Sequence, residues 1–150
     1  MNNSTFIAQL FLRLALGIGF MLPVLDRLGV LGAAGSPNVG WGKWENFVAY
    51  THSLMPYLGR SAAGFFGFLA TVAEFLFAIL LIIGYQIKWT ALGSFALTLI
   101  FALSMFCFAG YRAPFNYSVF TDSAASLLLA GIGSYQWSID YQIQKNENKI

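Results

Sequence analysis

Charge is what this chain has least of. Only 9% of its 150 residues are Asp, Glu, Lys or Arg, against about 25% in ordinary soluble domains, and that shortage excludes a conventional water-soluble fold. Cysteine is nearly missing too. Cys107 is the only one, so an intramolecular disulfide, a CxxC redox pair and a thiolate metal cluster are all ruled out. In the middle of an apolar helix Cys107 reads as a packing residue. His52 is the only histidine, without a second ligand close in sequence, so no metal site is expected and a plain interfacial role is favoured for it. The eight Lys and Arg residues give a formal net charge of +2 and form no basic block, which argues against a nucleic-acid partner.

What is present is apolar. Hydrophobic residues make up 58% of the chain and the mean hydropathy is +0.67. The pattern predicts an all-α fold, an integral membrane four-helix bundle in one domain. Its spans are expected at residues 6–27, 61–84, 89–110 and 115–137, with a short interfacial amphipathic helix at about 42–55 in the first loop. Such a bundle uses up the length and leaves no room for a soluble catalytic domain. A cleaved signal peptide would place positive charge before the first apolar run, whereas Arg13 interrupts the run itself.

The second span, SAAGFFGFLATVAEFLFAILLIIG at residues 61–84, organises the rest. It contains one carboxylate, Glu74, near its middle. An ionisable side chain there costs on the order of 2.5 to 3.5 kcal/mol on insertion scales, so it should face protein or water and have a partner. Gly64, Gly67, Thr71, Glu74 and Ala78 share one seam of small residues against which a neighbouring helix can close. On the first span, Arg13, Gly17, Phe20, Val24 and Arg27 share the face turned toward the other helices. Gly17 and Gly19 resemble a phosphate-loop fragment, but without a preceding strand they favour close helix packing. In the first loop, Trp44, Phe47, Val48, Thr51, Leu54 and Met55 recur at helical spacing until Pro56. Aromatic residues beside that stripe suit a lid or rim at the membrane interface. Thr90, Ser94, Leu97, Phe101 and Ser104 give the third span a mildly polar face. Ser118, Asp122 and Ser126 do the same for the fourth, and a polar tail that frays at its end is expected after Trp137.

Four spans put both termini on one side, with Lys88, Lys145 and Lys149. Lys43, Arg60 and Arg112 then lie on the other, with Arg27 at a helix end, so charge alone does not orient the chain. Counted by helical rise, Arg13 lies roughly 10 Å and Glu74 roughly 15 Å from the terminal face, while Asp122 lies about 10 Å from the loop face. Arg13 and Glu74 are therefore expected to pair. Arg13, Glu74 and Asp122 would shape an intramembrane polar cavity, rimmed by Asp26, Arg27, Trp41, Trp44 and His52. One reading makes these groups structural, fixing which helix packs on which. The other makes them the lining of a pocket for a small ligand, a quinone head or a proton path. No residue is identified as catalytic.

Three stretches carry a family resemblance: FLRLALGIGFMLPVLDRLG in the first span, TVAEFLFAILLIIGYQIKWTALGS across the second and third, and NYSVFTDSAASLLLA in the fourth. In that order and spacing they resemble the DoxX family of small four-helix bacterial membrane proteins, over residues 6 to about 134. The most specific part is Glu74 followed by an aliphatic run, a glycine turn and Lys88. PNVGWGKWENFVAY replaces the shorter first loop of many members. The resemblance implies an inner-membrane location with cytoplasmic termini and a periplasmic long loop. It also implies links to a thiosulfate:quinone oxidoreductase, to thiol redox maturation and, in eukaryotes, to cargo receptors of the early secretory route. The chain offers no flavin, haem or iron–sulfur ligand set, so electron transfer would need a bound quinone or a partner's cofactor.

Two functions from different classes follow. The first is a small subunit or accessory of a membrane redox system (quinone, thiol or sulfur), more a component than a stand-alone enzyme, with no covalent cofactor and a quinone as the candidate ligand. The second is a non-catalytic scaffold, chaperone or binding protein for a partner complex. Membrane lipids, a homo-oligomer or a larger membrane complex are the expected partners. A solute or proton conductor is a third reading, opposed by the apolar gap between the polar layers.

Overall fold

The computed structural model describes residues 3–147. Among them there are seven helices and no strand. They are α1 (Asn3–Arg27), α2 (Trp44–Leu54), α3 (Arg60–Ile83), α4 (Ile87–Phe108), α5 (Ala113–Asn116), α6 (Val119–Ala130) and α7 (Ile139–Glu147). Helices α1, α3 and α4 are long and apolar enough to cross a membrane. Phe11, Phe68, Ile100 and Leu128 stand outward, an apolar surface that water would penalise and lipid would cover. The expected frayed end of the tail, Lys149 included, falls in residues 148–150, outside the described residues.

The fourth stretch departs from expectation. Residues 115–137 do not form one helix. Short α5 ends at Asn116, and Ser118 sits in the left-handed region at φ 56°, which a right-handed helix cannot continue through. α6 then has 12 residues, about 18 Å of rise, and residues 131–138 are irregular. The break also turns the inward face. Ser123, Ser126, Leu129 and Ala130 are buried, whereas Ser118 and Asp122, expected inside, are exposed.

The core lies where α1, α3, α4 and α6 meet, around Leu16, Phe20, Ala78, Leu81, Ala91 and Leu129. α1 and α3 run antiparallel in a register set by small residues. A Cβ on Gly17 would lie 2.8 Å from Ile82 Cγ1 and 3.1 Å from the Ala78 carbonyl, so this glycine is a packing residue. Phe20 meets Phe77 edge-on at 6.2 Å. That register brings Gly84 beside Arg13 and Thr71 beside Arg27. The first ten residues of α1 therefore run past the end of α3, and the start of α3 runs past the end of α1.

The overhang of α3 is covered by α2. Phe47, Thr51 and Leu54 form its buried stripe. Gly67 leaves only 3.1 Å between its added Cβ and Phe47 Cε1, and Gly64 meets Val48. The small-residue seam of α3 thus serves two helices, α2 above Glu74 and α1 below it.

The last segment closes the opposite end. Gly84 caps α3 in the left-handed conformation at φ 75°, and any side chain there would strike Ser138 and Arg13. Asp140 accepts from the backbone N–H groups of Gln86 and Ile87, both at 2.8 Å. It thereby supplies an acceptor to the otherwise unsatisfied first turn of α4. Its own N–H donates to the Gly84 carbonyl at 3.1 Å.

Candidate functional site

The polar centre of the molecule is built on Arg27, the last residue of α1. Its Nη1 donates to Thr71 Oγ1 at 2.9 Å and to Glu74 Oε2, and its Nη2 donates to Glu74 Oε1 at 3.1 Å. This is a two-pronged guanidinium–carboxylate contact, the strongest geometry available to such a pair. Both side chains are almost wholly buried, 4% and 5% exposed. Thr71 also donates to the Gly67 carbonyl, so its hydroxyl is oriented toward Arg27 by its own helix.

Aromatic rings close the pair from the loop side. The Arg27 guanidinium carbon lies 3.9 Å from the Phe47 ring centroid and 5.1 Å from that of Trp41, a favourable stacking of cation on ring faces. Trp44 packs on Phe47 at 5.3 Å. Asp26 fixes Trp41 in place. Its carboxylate accepts from the backbone N–H groups of Gly40 at 2.8 Å, Trp41 at 3.2 Å and Gly42 at 2.9 Å. Only glycine fits at 42, because φ is 64° and a Cβ would come within 2.3 Å of Ala34 N. Asp26 and Arg27 thus tie the long loop and α2 onto the bundle, one through backbone, the other through rings. Tyr50, outside the three long helices, has its phenol pushed above the ordinary range by burial and, less, by Tyr117.

The expected Arg13–Glu74 pair does not form. Counting rise from helix ends assumes that the ends are level, and the overhangs of α1 and α3 displace Arg13 by about three turns from Glu74. Arg13 instead donates from Nη2 to the Trp137 carbonyl at 2.8 Å, and Gln9 donates to the Gln136 carbonyl at 2.9 Å. Both side chains are 1% exposed, and Arg13 Nε and Nη1 and Gln9 Oε1 are buried without a partner.

Asp122 is in a third place. It lies with Thr121 in a groove of about 260 Å³ between α1 and α6, walled by Leu16, Gly19, Phe20 and Ala125. The neighbouring Ser123 hydroxyl reaches the Phe95 carbonyl at 3.4 Å, level with the middle of α4 rather than near the loop face. Arg13, Glu74 and Asp122 therefore do not meet in one cavity. Of the expected rim, Asp26, Arg27, Trp41 and Trp44 do come together. His52 does not join them, and its Nε2 bonds the Leu58 carbonyl at 3.1 Å in the turn after α2.

The arrangement offers little direct chemistry. Both oxygens of Glu74 are occupied by Arg27, the pair is roofed by rings, and the groups of His, Cys, Asp and Glu among the described residues form no metal-binding cluster. A more open pocket of about 470 Å³ lies beside the site, lined by Leu22, Pro23, Asp26, Pro37, Asn38 and Trp41, so Trp41 separates it from Arg27.

Helical spacing does not identify Arg27 as the partner of Glu74, Phe47 as its cover or Asp140 as the cap of α4. Arg27 did carry a signal, since it lies on the same predicted inward face as Arg13. Asp140 follows Ser138 in a polar tail, and Ser138 accepts from the Tyr141 N–H at 3.1 Å as helix caps do.

No curated protein and no solved structure matches the chain. The sequence model of one family, DoxX, matches residues 8–108, a stretch that contains α1 from Ala8 onward, the long loop, α2, α3 and α4, and with them the whole Arg27–Glu74 site. The chain belongs to the DoxX family of membrane proteins.

Proposed function

We propose that this protein is a small accessory subunit of an inner-membrane redox system and that it acts by holding and docking rather than by catalysis. The observation that carries this reading is the closure of Arg27 and Glu74 upon each other beneath Phe47 and Trp41. A pair intended for acid–base work would keep one oxygen or proton within reach of substrate. This one fixes α1, α2 and α3 together. The redox assignment rests on the family resemblance, which also supports four passes with cytoplasmic termini and a periplasmic loop, α5 and α6 together making the fourth pass. Contacts of Gln9 and Arg13 with residues 136 and 137 favour termini on the same side. Purification in mild detergent tests the proposal. A quinone- or thiol-linked oxidoreductase should co-purify, and its turnover in a deletion strain should fall. Recovery of the protein alone, with turnover unchanged in the deletion strain, would reject the assignment.

A second reading is favoured by the pocket beside Trp41. Its volume of about 470 Å³ lies within the roughly 300–1,000 Å³ of small-molecule sites, and its apolar walls with the Asn38 amide suit a quinone head. Quinone should quench tryptophan fluorescence in the purified protein, and Trp41→Leu should remove that part of the quenching. Equal quenching in both would exclude this pocket.

A further inference from the structure

The groove between α1 and α6 has a property that the rest of the apolar surface lacks. Thr121 and Asp122 are exposed within it, and neither side chain has a hydrogen-bond or ion-pair partner among the described residues. Ser123 against Phe95, together with Phe20 in the groove wall against Phe77, places them near the middle of the apolar layer. An unmatched carboxylate at that depth costs on the order of 2.5 to 3.5 kcal/mol on insertion scales. Lipid headgroups lie too far out to relieve this cost. The partner must be a group that is itself carried at mid-depth.

We infer that the partner is a second copy of this chain, related by a two-fold axis along the membrane normal, with each Thr121 hydroxyl donating to the partner subunit's Asp122. A donor and an acceptor at adjacent positions make the surface self-complementary, as a two-fold interface requires. The axis keeps both copies at the same depth. Asp122 accepts such a bond in either protonation state.

The walls suit close helix approach. Ala15 and Gly19 stand four residues apart on α1 and are exposed, and nothing lies within 4 Å of a Cβ added to Gly19. Ala125 faces them from α6. Small residues at this spacing let spanning helices approach until van der Waals contact and interhelical hydrogen bonds hold them. The groove volume, about 260 Å³, falls below the usual range of ligand pockets, so it accommodates side chains of a neighbouring helix better than a whole molecule. α6 packs far more closely on α4 than on α1, which leaves this seam open to a partner. The inference stands apart from the redox reading, because it needs no ligand and no reaction.

The test uses the full chain in native membranes with Cys107→Ser to remove the one thiol. Ala125→Cys and Gly19→Cys should each give a disulfide-linked homodimer under mild oxidation, and Leu103→Cys, exposed on α4, should not. In single-molecule photobleaching of the purified protein in bilayers, the wild type should be mainly dimeric. Thr121→Val should weaken the dimer about tenfold, in line with modest interhelical hydrogen bonds, and Gly19→Ile should abolish it. Asp122→Asn keeps an acceptor and should leave the dimer intact. Crosslinking from Leu103→Cys equal to that from the groove, crosslinks only to a different protein, or a wild type monomeric at all densities would overturn the inference.

Discussion

The two buried arginines of α1 occupy equivalent positions on one helix face and are treated differently by the fold. Arg27 meets a carboxylate with two of its nitrogens, a hydroxyl and two aromatic faces. Each leaves its Nε without a partner, but Arg13 meets only one backbone carbonyl and has Nη1 unpartnered as well, while both oxygens of the acid on its side, Asp140, cap α4. The difference shows which end of the bundle the charges organise. At the loop end a charge pair joins α1 and α3 to the α2 lid and the long loop. At the terminal end an arginine and Gln9 hold an irregular strap, residues 135–138, against the start of the bundle.

This contrast can be broken from either end. The largest effect is expected for Glu74→Leu, which leaves the Arg27 guanidinium buried without its counter-charge, and such losses cost about 3–5 kcal/mol. Thermal unfolding in mild detergent should show it as the greatest fall in midpoint among single variants. Next comes Asp26→Ala, which strips an acceptor from three backbone N–H groups at about 1–3 kcal/mol. Limited proteolysis should then cut within residues 28–43, while cleavage elsewhere stays as in the wild type. Arg13→Met should cost less than Glu74→Leu, about 1–2 kcal/mol, because it gives up one bond to a carbonyl and also removes two unpartnered donors. A loss equal to that of Glu74→Leu would mean that the terminal end relies on charge as heavily as the loop end. The smallest effect is expected for Asp140→Ala, about 1 kcal/mol from the lost cap of α4, seen as faster hydrogen exchange at Gln86 and Ile87 with the loop end unchanged.

Much of this was legible from periodicity. The face of Arg13, Gly17, Phe20, Val24 and Arg27 is buried throughout, and in the seam of Gly64, Gly67, Thr71, Glu74 and Ala78 only Gly64 is partly open. Of the α2 stripe Trp44, Phe47, Val48, Thr51, Leu54 and Met55, the residues Phe47, Thr51 and Leu54 are buried and the other three are half-buried. Periodicity assigns faces because each helix repeats its own geometry. It says nothing of how far one helix slides along another, and that slide decided the partner of Glu74. The register depends on Gly17 fitting over Ala78 and Ile82 and on Phe20 meeting Phe77, contacts between residues some sixty positions apart. The break at Ser118 was hidden for a different reason. Pro114, Asn116 and Ser118 are turn-forming types, but Phe115, Tyr117, Val119 and Phe120 between and after them keep an apolar run that reads equally well as the start of one continuous span. A continuous helix places Asp122 in the interior; the break turns it toward the groove.

The double substitution Arg27→Met with Glu74→Leu tests most directly the proposal that the pair holds the bundle together instead of taking part in a reaction. It removes both charges at once and retains apolar bulk beneath Phe47 and Trp41, a replacement that is often neutral for buried pairs. The measurement is turnover of the quinone- or thiol-linked system in the deletion strain complemented with the double variant, at matched protein level. Turnover close to wild type, although each single variant is impaired through instability, is the predicted result. A double variant that accumulates and melts like wild type yet leaves turnover at the deletion level would contradict the account and assign the pair to the reaction.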